Sequence, residues 1–400
     1  MLKIEQKINK KIQIIVGNLF VEDRVCRVFD FKTIEFLDEI SKEVLKKKEN
    51  LSFQDLAAFA FWIRKKNILK LSDHYVLKDR MVGYGLALHI SPSNVPMNFA
   101  YSLVFGLLSG NNNILRLPSK KFIQTNILCN IISKILKKKK YKTFSKKICI
   151  IKYEKSEEIS SYFSRIADLR IIWGGDNTIS QFKKYETSAR CIDLTFPDRY
   201  SLSILGSDKL MKLTNQEFNR IVDRFYNDTY IMDQKGCSSP QAIVWQGNKK
   251  KQAKLKFYET LSKIASKRYD QSLAAVNEKI SNLSIIAAKS KTNFKTQFTN
   301  FNLVTIKPSK FDTEIEKIRS YNGTFVEMDL ENFKDIKKII SKKCQTITYY
   351  GIENNKFKNT IINSGLLGID RIVPVGRALD MNLIWDGKDL IHSLSRIVAH

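Results

Sequence analysis

Apolar residues recur at three- and four-residue spacing over Lys32–Lys48 and Phe53–Lys66, the pattern of two amphipathic helices. From Gly85 the rhythm changes. Short apolar runs (Leu86–Ile90, Ile114–Leu117, Ile148–Lys152, Leu169–Trp173, Cys191–Leu194) alternate with helix-like segments at Met97–Leu108, Phe122–Leu136, Glu157–Ile166 and Thr178–Tyr185. That alternation predicts parallel βαβ units in an open α/β sheet, which binds ligands at the carboxyl ends of its strands. A second α/β lobe begins near Tyr200, with the boundary around Pro197–Arg199. It opens on a helix-like stretch, Phe218–Ile231, followed by an apolar run, Ala242–Trp245. A long, mostly helical stretch, Lys251–Ala288, comes next, then runs at Leu303–Ile306, Thr324–Met328, Thr346–Tyr350 and Arg371–Val375. No internal repeat and no low-complexity linker interrupts the chain.

With 400 residues, 43% of them hydrophobic, the chain can bury large cores. Its six cysteines are widely spread with no CxxC spacing, and four histidines are too few and too scattered for a metal cluster, so no metal is expected. Free thiols fit a reducing compartment. Met1–Lys11 is polar and charged, unlike a secretory signal. The most apolar stretch, Val95–Ser109, is too short for a membrane span and carries Pro96 and Asn98. A cytoplasmic protein is expected. The formal charge of +28 suits polyanionic partners. An AT-rich coding sequence would also produce the abundant Lys, Ile and Asn. The lysine runs at Lys46–Lys48, Lys137–Lys140 and Lys249–Lys251 are not interleaved with aromatics as in nucleic-acid modules. Nucleic acid is therefore not an expected partner, and a basic nucleic-acid-binding protein is kept only as the alternative from a different class.

Cys237 lies in Gly236-Cys237-Ser238-Ser239-Pro240-Gln241, at a helix–strand junction. Glycine and serine neighbours favour partial exposure, and a thiolate there could attack a carbonyl. A buried, inert thiol is the plainer alternative. Upstream, Ser91-Pro92-Ser93-Asn94-Val95-Pro96 joins a strand to a helix. Asn94 can aim its side-chain N–H at a substrate oxygen, or serve as a turn or helix-cap residue. Gly110-Asn111 has the look of a helix C-cap. Arg116, near the end of the next strand, can meet a ribose or phosphate. Gly174 and Gly175, in Trp173-Gly174-Gly175-Asp176-Asn177, let backbone approach a phosphate or nicotinamide, while Asp176 or Asn177 can cap the following helix. Gly83-Tyr84-Gly85 lacks the third glycine of a dinucleotide fingerprint and precedes its strand.

Together these runs resemble the aldehyde dehydrogenase superfamily, in particular its acyl-CoA reductase branch known from bacterial bioluminescence, the LuxC family. The likeness rests on Gly85–Lys120 with His89, Asn94, Pro96 and Gly110-Asn111, on Trp173–Asp176, and on Gly236–Gln241. It continues through Gln345-Thr346, Gly368–Ile372, Pro374-Val375-Gly376, Trp385-Asp386-Gly387 and Ser395-Arg396, and covers the chain from about His74 onward.

The resemblance implies an aldehyde dehydrogenase-like α/β fold with a Rossmann-like cofactor lobe and an α/β catalytic lobe. Its parts would be an N-terminal helical segment (1–70), an NADP-binding domain (71–199), a catalytic domain (200–385) and a C-terminal return (386–400). Cys237 would be the acyl-accepting nucleophile, and Asn94 with the Cys237 backbone N–H the oxyanion hole. Arg116, Gly174, Gly175 and Ser119 would hold NADPH. Thr195 falls where aldehyde-oxidising relatives carry a glutamate base, in register with Arg199, with Asp193 as the alternative if the register is shifted. The implied reaction is reduction of an acyl-CoA, or of an acyl group handed over by a partner protein, to an aldehyde. Implied partners are an acyl-protein synthetase, an acyl-transferase and further copies of the chain in a homo-oligomer. An acyl-phosphate reductase and an aldehyde-oxidising dehydrogenase are the enzymatic alternatives.

Overall fold

The computed structural model describes residues 6–19, 24–289, 293–311 and 313–399. Two units divide the chain: residues 1–198 with 381–400, and residues 199–380.

In the first unit, strands that read as unbroken apolar runs are buried on both faces, as central parallel strands must be. They are β3 (Leu86–Ile90), β4 (Asn112–Arg116), β5 (Ile148–Lys152) and β6 (Leu169–Trp173), while β1 (Gln13–Gly17), β2 (Met81–Gly83) and β7 (Ile192–Phe196) are more exposed. All but β2 form one sheet in the order β1-β5-β4-β3-β6-β7. Only β1 runs antiparallel within it. The helix Asn98–Leu108, apolar on all sides, is almost wholly buried after β3. Glu157–Ile166 starts where Ser156 Oγ accepts the Ile159 N–H at 3.3 Å. The apolar periodicity after Phe53 predicts one helix, yet it breaks after Trp62 and resumes at Lys65–Ser72. Asp38 fixes the restart by accepting the Lys65 N–H at 2.8 Å.

The second unit contains β8 (Tyr200–Gly206), β9 (Pro240–Gln246), β10 (Phe294–Asn300), β11 (Leu303–Pro308), β12 (Thr324–Leu330), β13 (Cys344–Tyr350) and β14 (Arg371–Pro374). Its sheet order is β10-β11-β12-β9-β8-β13-β14, parallel except for the edge strand β10. Apolar clusters cover both faces, with Leu202, Val244 and Ile347 on one side and Phe225, Trp245 and Phe257 on the other. The mostly helical stretch expected over Lys251–Ala288 consists of two helices, Lys250–Arg268 and Leu273–Lys289.

Residues 381–400 return to the first unit. There β15 (Ile384–Trp385) and β16 (Lys388–Asp389) form a short hairpin, and β17 (Ser395–Ile397) pairs antiparallel with β2. Asn111 ties this return down, its Nδ2 donating to the Leu394 carbonyl at 2.7 Å.

Candidate active site

Neighbouring strands β4, β3 and β6 bring three of the expected segments to one edge of the first unit's sheet, at their carboxyl ends. After β3 comes the Asn94 turn. Asn94 is exposed, and the following helix is capped at Met97 without a side-chain bond, so Asn94 is not its cap. Arg116 ends β4. Its guanidinium lies 4.5 Å over the Tyr153 ring, and one Nη sits 3.5 Å from the Tyr153 carbonyl. Its Nε is buried with no hydrogen-bond partner, a donor left over for a ligand. Ser119 is exposed two residues beyond Leu117, and its carbonyl accepts Lys152 Nζ at 3.1 Å.

Gly174 and Gly175 follow β6. Gly175 occupies the N-cap of Asp176–Lys183, so neither Asp176 nor Asn177 is the cap, contrary to expectation. A Cβ on Gly175 would meet nothing within 4 Å, whereas one on Gly174 would lie 3.1 Å from Thr178 Cβ. The backbone at Gly175 therefore faces open space.

Behind this edge runs a closed polar chain. His89 Nε2 is 2.9 Å from Asn113 Oδ1, and Nδ1 is 2.8 Å from Ser102 Oγ. Asn113 Nδ2 already donates to the Asn111 carbonyl, so Nε2 carries the histidine proton and Ser102 donates to Nδ1. Trp173 Nε1 in turn donates to Ser102 Oγ at 3.0 Å. The Trp173 ring stacks on Phe196 with centroids 3.7 Å apart. Full burial pushes His89 down to about 4, so it is a neutral strut at physiological pH. Ser109 is the C-cap and Gly110 the left-handed residue after it, where a φ of +83° and the Cys26 carbonyl, 2.2 Å from any Cβ, admit only glycine.

At the end of β7, Thr195 is half-buried and its carbonyl accepts Lys388 Nζ at 3.0 Å. Asp193 is taken up elsewhere. Both its oxygens accept from Arg170 at 2.6 Å, and Arg170 is 3% exposed. Both carboxylate oxygens of Asp193 are thus engaged by one guanidinium in a bidentate pair.

Cys237 belongs to the second unit and is half-buried. The helix Asn215–Thr229 ends into a loop with two consecutive left-handed residues, Asp233 (φ +53°) and Gln234 (φ +58°). Gln234, fully buried, fixes that turn. Its Nε2 donates to the carbonyls of Pro240 and Thr324, and its Oε1 accepts the N–H groups of Gly323 and Thr324. Ser201 Oγ donates to the Cys237 carbonyl at 2.6 Å and accepts the Thr346 N–H at 3.0 Å. The loop is thus pinned to the starts of β8, β9, β12 and β13. Burial pushes the thiols of Cys129, Cys149 and Cys344 up to about 12 and that of Cys191 up to about 11, which removes them as thiolates near neutral pH. No disulfide joins any of the six cysteines. Among the described residues, no group of three His, Cys, Asp or Glu could hold a metal, and no helix is long and apolar enough to cross a membrane.

The family model for acyl-CoA reductase (LuxC) matches residues 66–399. The chain belongs to the LuxC family. A long-chain acyl-protein thioester reductase of Aliivibrio fischeri is 23% identical over 337 residues, 79% of this chain. The chain spans 64% of that relative's length. Among solved structures, aldehyde dehydrogenase 21 of Physcomitrella patens, in complex with succinate, superposes with a TM-score of 0.62 at 12% identity, covering 92% of this chain and 84% of its own. A glyceraldehyde-3-phosphate dehydrogenase of Methanocaldococcus jannaschii, complexed with NADP, gives 0.63 at 15% identity, covering 92% and 88%. This LuxC-family chain therefore has the aldehyde dehydrogenase fold, as its motifs imply. The sequence pattern did not reveal Gln234, Ser201, Arg170 or Lys388. Each works through a partner distant in sequence, and only the run Trp385-Asp386-Gly387 beside Lys388 carried any signal.

Proposed function

We propose that this LuxC-family chain reduces an activated acyl group to an aldehyde through a thioester on Cys237, using NADPH. The Cys237 thiolate attacks the acyl carbonyl. Asn94 and the Cys237 backbone N–H stabilise the oxyanion, a donor of this kind being worth about 3 kcal/mol. Collapse transfers the acyl group to sulfur and releases the donor thiol. Arg116, Ser119 and the Gly174-Gly175 backbone hold the cofactor, which when bound supplies hydride. The resulting thiohemiacetal on Cys237 expels the thiolate and frees the aldehyde. The donor is an acyl-CoA or an acyl group delivered by a partner protein, in keeping with the acyl-protein thioester named for the Aliivibrio relative. An acyl-protein synthetase and an acyl-transferase are the matching partners, a homo-oligomer the working form, and the cytoplasm the place.

One observation carries the choice of reduction over oxidation. In register with Arg199, Thr195 would stand where aldehyde-oxidising relatives carry the water-activating glutamate, and nearby Asp193 is committed to Arg170. Without a base, water attacks the thioester slowly and hydride has time to arrive. The test is single-turnover labelling with radiolabelled acyl-CoA. Wild type should retain label until NADPH is added and then release aldehyde, and Cys237→Ala should take up none. Label on Cys237→Ala would move the acyl group to another residue. Prompt release as free acid without NADPH would favour the aldehyde-oxidising reading. Labelling by acyl phosphates but not thioesters would make it an acyl-phosphate reductase.

A further inference from the structure

A strap after β14, Gly376–Asp380, is held from two sides within the second unit. On one side stands Asp228, on the helix that leads into the Cys237 loop and 2% exposed. Its two oxygens accept the N–H groups of Gly376 at 2.6 Å and Ala378 at 2.9 Å. On the other side, Arg371 donates to the carbonyls of Arg377, Ala378 and Asp380 at 2.9, 2.7 and 2.7 Å. Two N–H groups of the strap thus go to a buried carboxylate and three of its carbonyls to a guanidinium. The strap carries Leu379, whose Cδ2 lies 3.8 Å from where a Cβ on Gly236 would be. Gly236 precedes Cys237.

We propose that Asp228 and Arg371 form a clamp that seats Leu379 over Gly236 and so sets the position and access of the Cys237 thiol. Both are positioning residues. The proposal rests on Cys237 as the reactive thiol and adds what orients it. A buried aspartate is an expensive way to hold a loop unless both oxygens are used, and here both are. Asparagine offers one acceptor and a misplaced N–H₂, so it can keep only one of the two bonds. Burial, with Asp380 nearby, pushes the Asp228 carboxyl up to about 7, while the two backbone donors and Arg371 pull it down. The other charges around the strap are Arg224, packed on Gly376, and the Arg377–Asp380 ion pair at 2.5 Å.

The experiment uses the full chain and two readouts. The first is the rate of iodoacetamide alkylation at each cysteine, resolved by mass spectrometry. The second is the rate of acyl-enzyme formation from acyl-CoA. Asp228→Asn should raise alkylation of Cys237 about tenfold as the strap lifts, while Cys344, buried in the same unit, stays protected. Acyl-enzyme formation should fall at least tenfold with cofactor affinity unchanged. Arg371→Met should show the same pair of changes, and the double variant should be no worse than either single one, because each opens the same clamp. Asp228→Glu, which keeps both oxygens, should recover part of the acylation rate. Unchanged Cys237 alkylation in both single variants, or Cys237 and Cys344 labelling rising together, would overturn the clamp and leave ordinary destabilisation. If acyl-CoA labels no variant and not the wild type, while alkylation of Cys237 responds as described, the clamp stands and the acyl-reductase reading fails.

Discussion

Gly175→Ala separates the demands of the fold from those of a ligand. Gly175 has φ −66° and ψ 164°, a conformation open to any residue. No protein atom lies within 4 Å of the added methyl. Alanine is a poorer N-cap than glycine, costing up to about 1 kcal/mol. Stiffening the unfolded chain returns about 0.4–1 kcal/mol. The two nearly cancel, so Tm should move by no more than about 2 °C. If the glycine pair lies against the cofactor, the methyl sits where the backbone must approach it. NADPH affinity should then fall at least tenfold, about 1.4 kcal/mol. The assay is a fluorescence titration with NADPH beside a thermal melt of the same sample. Gly174→Ala is the contrast, because Thr178 Cβ at 3.1 Å and Cγ2 at 3.2 Å make the fold itself object. Unchanged NADPH affinity in Gly175→Ala would remove this loop from the cofactor site. A large drop in its Tm would refute the argument from open space.

Asn94→Ala should lower turnover about 10²–10³-fold with NADPH affinity nearly unchanged, and an effect below about threefold in steady-state kinetics would return Asn94 to a turn residue. Arg116→Ala should narrow a preference for NADPH over NADH, read from kcat/KM with each cofactor; a wild type that uses NADH equally well would contradict the role given to Arg116. Thr195→Glu should divert product from aldehyde to free acid and speed decay of the acyl-enzyme without NADPH by about 10²-fold or more, as a positioned base does. His89, held down at about 4 against 6.5 when unfolded, lets only the unfolded chain take up a proton between those values. Stability should fall as pH drops from about 6.5 to about 4, by about 3 kcal/mol in all, and His89→Leu should remove that slope in urea melts. Asp228, raised from 3.8 to about 7, tilts the profile the opposite way, so the difference between variant and wild type is the quantity to read.

The runs Ile148–Lys152 and Leu169–Trp173 and the helix Glu157–Ile166 were legible residue for residue, because buried parallel strands are continuous apolar runs and Ser156 marks the helix start. Strand β8 was not, although it is central. Ser201 and Ser203 interrupt its apolar residues, and the reason for Ser201, a hydroxyl bonded to the Cys237 carbonyl, lies 36 residues away in sequence. Strand β10 was missed because it is an exposed edge whose apolar residues are only Phe294 and Phe298. The helix break at Tyr269 carries no glycine or proline, and its cause is tertiary, since the Tyr269 hydroxyl donates to Asp233 in the Cys237 loop. At the site, glycines and asparagines after strands could be read from local rules. The engagement of Asp193 by Arg170 could not, because two strand residues 23 apart meet only once β6 and β7 lie side by side.

The excursion of the chain out of the first unit at Asp198 and back at Met381 has a consequence for synthesis on the ribosome. The second unit is delivered as one uninterrupted stretch and can mature while translation continues. The first cannot. Until Ser395–Ile397 emerges, β2 lacks that partner strand, and until Leu394 emerges the buried Asn111 amide lacks its acceptor. The usual order, in which N-terminal domains mature first, is thereby inverted. During that interval the nascent chain presents an open strand edge, the kind of surface that invites mispairing and chaperone capture. Strand β2 thus reaches its final pairing only roughly 300 residues after it is made, counting along the chain to β17.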